Sequence, residues 1–224
     1  MNGFLKWLRG FFEKAAVPNQ PPEVSVSVPI TATGYTKPVD NTPRYRDPVT
    51  PLSMNFALGE LTYTDHVDLR TENRTLTDAQ VESLKQLCLR VLEPCRSIVK
   101  KVTGTEGLFI HDGMRVPALN KAVGGVSDSQ HVLAQAADWT PAHGSGVEQL
   151  QAIFQAIWDA AKRGDIEFGQ LILENAREGS GVARWIHCSL GKGYRDTEKC
   201  GEVLTRDVEG KYVMLGRVSD TATA

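Results

Sequence analysis

Apolar residues in this chain follow two periods, and the change from one to the other outlines its elements. After Asp78, the positions Val81, Leu84, Leu87, Cys88, Val91 and Leu92 fall on one helical stripe. Asp78 reads as the N-cap of that helix. Pro94 comes near its end, where it either stops the helix or kinks it. A second stripe, Leu150, Ile153, Phe154, Ile157 and Trp158, predicts a helix over 147–163, with Gly164 as its stop. Shorter apolar runs have strand character: Leu108–Ile110, Gln170–Glu174 and Arg184–Ser189. Gly201–Arg206 and Lys211–Leu215 flank Val208-Glu-Gly210 and read as a hairpin. Helices and strands come in blocks rather than in alternation, which favours an α+β fold over a doubly wound parallel sheet.

The pattern is different before residue 53. Phe4, Leu5, Trp7, Leu8, Phe11 and Phe12 form an amphipathic stripe, so residues 1–16 read as a short helix. Such a helix suits a membrane surface through residues 4–12, a groove on a partner, or the protein's own body. Residues 17–52 are rich in proline and read as an extended arm or linker. Within it, Val24–Val28 alternates apolar and polar and could add a strand to a sheet edge. The compact domain is expected over 53–217, with a disordered tail at 218–224.

Composition narrows the class. Hydrophobic residues make up 41% and charged residues 23%, as in globular chains. A net charge of −2 argues against nucleic acid as the main partner. Cys88, Cys95, Cys188 and Cys200 form no CxxC pair and read as buried thiols from a reducing compartment. No run reaches the roughly 20 apolar residues that span a bilayer. Lys6 and Arg9 interrupt the N-terminal apolar run, so it is not a good signal peptide.

The candidate chemistry lies in His131, Asp138 and His187. Two imidazoles and a carboxylate make a three-ligand set for zinc and leave the fourth position open, as catalytic sites require. His131 and Asp138 are an odd number of residues apart, so on a straight strand they would face opposite ways. Both reach one metal only if the chain turns between them. The small Ala134, Ala136 and Ala137 permit that. On the later strand His187 shares a face with Trp185 and Ser189, while Cys188 points into the core.

The residues around these three resemble a family. Ser129-Gln-His131-Val-Leu-Ala134-Gln-Ala136-Ala-Asp138 and Trp185-Ile-His187-Cys-Ser189 are similar to the signature Ser-x-His-x-x-Gly-x-Ala-x-Asp followed by Trp-x-His-x-Ser. That signature belongs to the zinc D-Ala-D-Ala carboxypeptidase-like peptidases, in the branch with the M15A C-terminal domain. The resemblance continues in Asn55–Leu61, in Leu87–Arg96, in Asp112-Gly-Met-Arg115 with Leu119–Gly125, and in Phe168–Glu174. It implies a Hedgehog/DD-peptidase-like fold, a small antiparallel sheet with flanking helices. It also implies zinc on His131, Asp138 and His187, and substrate or oxyanion binding by Arg115. Ser129 matches a serine that lines the site and binds substrate. The family's general base stands three or two residues before the last ligand, where this chain has Arg184 and Trp185. Glu174, which this branch keeps, is the remaining candidate. Two departures stand out. Ala134 replaces the family glycine, a swap that is harmless at a right-handed φ and shifts the loop at a positive one. Asp112 and Met114 replace the serine and tyrosine of Ser-Gly-Tyr-Arg, changes expected to alter the pocket lining.

The expected activity is zinc-dependent hydrolysis of D-Ala-containing bonds in peptidoglycan stem peptides. A phage enzyme fits best, made in the bacterial cytoplasm and acting at the cell wall or within a virion. Residues 1–50 would attach it to a protein partner. The competing expectation is an inactive structural or peptidoglycan-binding virion component that keeps the fold.

Overall fold

The computed structural model describes residues 41–144, 146–174, 185–191, 200–206 and 211–218, all within one unit, Pro38–Ala224. The helix expected at 1–16, the Val24–Val28 run, Arg184 and the turn around Val208–Gly210 lie outside the described residues. No described helix is long and apolar enough to cross a membrane.

The cap of the first long helix lies one residue before the expected one. Thr77 is the N-cap, its hydroxyl accepting from the Gln80 N–H, while the Gln80 side chain accepts from the Thr77 N–H. This is a reciprocal capping box. Asp78 sits in the first turn instead, where it pairs with Arg44 and Arg46. Pro94 does not end the helix. Asp78–Leu87 passes through a π-helical stretch, Cys88–Leu92, into a further helix, Glu93–Thr103. A proline has no N–H to give to the carbonyl four residues back, and its ring crowds that carbonyl. The wider π turn just before Pro94 absorbs both effects. Gly104, at φ 78°, closes the run.

The stretch read as an arm contributes to the body from residue 44 onward. β1 (Arg44–Tyr45) pairs with β2 (Thr75–Leu76). Leu52 is buried, and the Leu58 N–H donates to the Thr50 carbonyl.

Six strands form the main sheet: β3 (Leu108–Asp112), β4 (Ala136–Pro141), β5 (Gln170–Glu174), β6 (Ile186–Ser189), β7 (Glu202–Arg206) and β8 (Tyr212–Arg217). Their order is β3-β4-β6-β5-β7-β8. The fold is α+β as expected, but the sheet is mixed. Every pair is antiparallel except β5 with β7. The reason is topological. β6 inserts between β4 and β5, so β7 reaches the far edge of β5 running in the same direction.

The pleat separates two faces. Leu171, Leu173, Ile186, Cys188, Ala137, Trp139 and Val203 enter the core, which the helices Glu93–Thr103 and Val147–Lys162 complete through Cys95, Val99, Leu150, Ile153, Phe154 and Ile157. Cys188 is therefore a core residue, in contact with Cys95. Asp138, Ile172, Glu174, His187, Leu204 and Arg206 lie on the opposite face and line a cleft.

Candidate metal centre

The register of β4 and β6 brings two of the three chemical groups together. Asp138 on β4 stands opposite His187 on β6. His131 arrives from the turn before β4. That turn resolves the odd spacing. The Ala134 N–H donates to the His131 carbonyl and the Gln135 N–H to the Gln130 carbonyl, so the chain doubles back before the strand begins. Ala134 has φ 56°, the only left-handed non-glycine among the described residues. The glycine of the family pattern thus falls where a positive φ is needed. Alanine holds the same turn at a strain of about 1 kcal/mol.

His131, Asp138 and His187 are all buried, and one ligand atom from each lies within 4.8 Å of the others. His131 Nε2 is 3.4 Å from Asp138 Oδ2, and His187 Nδ1 is 2.8 Å from Asp138 Oδ1. Partners outside the trio set which ring nitrogens face inward. His131 Nδ1–H donates to the Gly113 carbonyl at 2.7 Å, which leaves Nε2 for the centre. His187 Nε2–H donates to Gln130 Oε1 at 2.9 Å, which leaves Nδ1. Such outer hydrogen bonds fix tautomer and ring orientation at metal sites. Burial alone would raise the Asp138 carboxyl, but His131 and His187 outweigh it and hold it well below the ordinary carboxylate range. An N, N, O donor set with a free fourth direction toward a cleft fits zinc.

Gln130 is a residue that spacing does not reveal. Its amide also donates to Ser189 Oγ at 2.8 Å, and that hydroxyl accepts from the Gln170 N–H. The only hint in the sequence is a polar residue directly beside a ligand. Asn73 is equally hidden. It is fully buried, donates to the Thr62 and Met114 carbonyls, and accepts from the Val116 N–H. It clamps the segment that carries Arg115.

Within Asp112-Gly-Met-Arg115, each position does something different. The pairing of β3 with β4 shifts between Ile110 and Asp112, leaving His111 as the extra residue of a bulge. A bulge re-aims the side chains next to it. Here both His111 and Asp112 line the cleft. Gly113 packs so closely that an added Cβ would lie 2.4 Å from the Leu61 carbonyl oxygen. Met114 is buried in the core and does not line the cleft, contrary to the expectation that it alters the pocket. Arg115 NH2 lies 2.8 Å from Asp112 Oδ2 and 3.1 Å from Asp138 Oδ2. Burial pushes the Asp112 carboxyl up, and Arg115 only partly opposes that.

The cleft encloses about 750 Å³. Ser129, Glu174 and Trp185 all line it. Glu174 is buried on the cleft face of β5, its N–H bonded to the Trp185 carbonyl. Ile172 is the residue opposite His187, so Glu174 lies diagonally from that histidine. Such diagonal positions are about 7–8 Å apart. Tyr212 O–H donates to Glu174 Oε1 at 3.1 Å, and Arg206 NH1 lies 3.5 Å from Oε2. Burial and the neighbouring Glu174 push the Tyr212 phenol up to about 12, so it stays a donor at neutral pH.

Residues 60–166 match the Peptidase M15 family. The match supports an M15 metallopeptidase. It includes His131, Asp138, Arg115 and Ser129 and stops before Glu174 and His187, which the fold itself adds to the site. M15 peptidases are in general zinc-dependent, and the buried His131–Asp138–His187 cluster has the donors such an ion needs. No curated protein matches the chain.

Proposed function

We propose that this protein is a zinc peptidase that hydrolyses D-Ala-containing amide bonds of peptidoglycan stem peptides. The observation that carries the reading is the pair of complementary tautomers. Gly113 and Gln130 turn His131 Nε2 and His187 Nδ1 toward Asp138 at the floor of an open cleft. A structural role has no use for an open three-donor set.

Zinc, when bound, would polarise the scissile carbonyl and bring the pKa of a water toward about 7. Glu174 is the base we assign. It is the cleft-face carboxylate on the strand beside His187, and Tyr212 and Arg206 hold its orientation. It would take the proton of the attacking water and return it to the leaving amine. Arg115 would hold the substrate carbonyl side and the charge that develops there. Ser129, on the cleft wall, would orient the peptide. The place of action we propose is the bacterial cell wall, as a phage lysis enzyme or a virion-borne one, attached to a protein partner through the part of residues 1–50 that precedes β1.

Purified peptidoglycan digested with the zinc-loaded protein tests this. The wild type should release new amino termini, and His131→Ala should release none. Glu174→Gln should bind zinc normally and lose about 10²–10⁴-fold in kcat. Zinc-loaded wild type without products would leave the inactive, peptidoglycan-binding reading in its place. Near-normal turnover in Glu174→Gln would remove Glu174 as base.

A further inference from the structure

We propose that Asp112 directs the cleft away from free C-terminal carboxylates, so that the preferred scissile bond lies inside a peptide or at a crosslink. This rests on the peptidase reading above and adds the substrate class.

Arg115 is the guanidinium nearest His131, Asp138 and His187 among the described residues. One of its nitrogens, NH2, already faces two carboxylates, Asp112 at 2.8 Å and Asp138 at 3.1 Å. A terminal carboxylate of a substrate would have to compete with both. Asp138 belongs to the metal cluster and is needed there. Asp112 is not, and it reaches Arg115 only because the bulge at His111 turns it into the cleft.

The fold uses only one oxygen of Asp112, the Oδ2 that pairs with Arg115. Its Oδ1 is buried without a hydrogen-bond partner. An unmet buried acceptor destabilises a fold, and a serine here would carry no such penalty. A cleft carboxylate whose one partner is the guanidinium that would receive a substrate carboxylate points to selection of the ligand.

The rest of the lining agrees. Among the described residues of the lining, Asp112, Asp128, Asp138 and Glu174 face two guanidiniums, Arg115 and Arg206. Arg206 in turn lies against Glu174, 3.5 Å away. A divalent ion would only bring these described groups to neutrality. An entering carboxylate therefore meets no net attraction, whereas an internal amide presents neutral N–H and C=O groups. Like charges placed together are an effective way to reject a wrong ligand.

The test uses two synthetic peptides of one D-Ala-containing sequence, one ending as the free acid after the scissile residue and one extended past it and amidated. Zinc-loaded wild type should cut the extended peptide with kcat/KM at least about tenfold above the free acid, the scale of discrimination by one charge contact. Asp112→Ser should close most of that gap, chiefly by lowering KM for the free acid. Asp112→Asn serves as the second variant and should act in the same direction. A wild type that prefers the free acid overturns the proposal, as does an unchanged ratio in folded, zinc-loaded variants. Cleavage of neither peptide by wild type defeats the peptidase reading itself, and this proposal with it.

Discussion

Gln130 shows how much of this site depends on single side chains outside the ligand trio. Its Oε1 selects the His187 tautomer, and its amide nitrogen ties that choice to Ser189. Replacing it with alanine should leave the fold intact and weaken zinc binding by about 10–100-fold, measured by competition with a chelating dye. An unchanged affinity would mean that Gln130 does not set the ring. The alanine at position 134 teaches a related lesson. Its side chain is small enough for the turn, so composition alone makes it look neutral, yet its φ of 56° is one that alanine adopts only under strain.

At the level of elements, β3 and the segment after it do the positioning. The bulge at His111, the bare backbone of Gly113 and the Asn73 clamp together aim Asp112 and Arg115 into the cleft and present the Gly113 carbonyl to His131. Gly113→Ala would force a Cβ against the Leu61 carbonyl and should destabilise the protein by about 3 kcal/mol, read by denaturant unfolding. Zinc affinity should fall as well, because the His131 partner moves with the backbone. A variant of wild-type stability would show that this close approach is not needed. The helices were readable from their stripes, Val81 to Leu92 and Leu150 to Trp158, because a 3.6-residue period survives any tertiary context. The continuation of the first helix through Pro94 was not readable. It depends on a π turn that only packing against the core makes worthwhile.

For the whole molecule, the described body begins before the expected boundary at residue 53. Arg46 donates to the Leu76 carbonyl and to Asp78, and Thr50 accepts from Leu58. A chain lacking residues 1–52 should therefore melt at a lower temperature than one lacking only 1–40. Equal melting points would show that residues 41–52 add nothing. Acid should also destabilise the metal-free protein. Burial favours the neutral form of Asp138 and of Glu93, but their hydrogen bonds and neighbouring charges prevail, and both carboxyls titrate below their ordinary values. A depressed carboxyl contributes stability above the unfolded pKa of about 4, and that contribution disappears as the pH falls through the folded value. Unfolding midpoints measured from pH 7 downward should thus drop below about pH 5. Midpoints that hold steady to pH 3 would contradict this.

The sequence by itself determined the α+β class, the principal helices and strands, and the three residues His131, Asp138 and His187, because periodicity and residue chemistry are local properties. Tertiary structure decided what those residues face. The placement of β6 between β4 and β5 put His187 opposite Asp138 and made one strand pair parallel. Tertiary pairing also set Gln130 against His187, and Tyr212 and Arg206 against Glu174, across long separations in the chain. The pleat sent Cys188 to the core while the bulge sent Asp112 to the cleft, a division that follows from strand register and not from residue type.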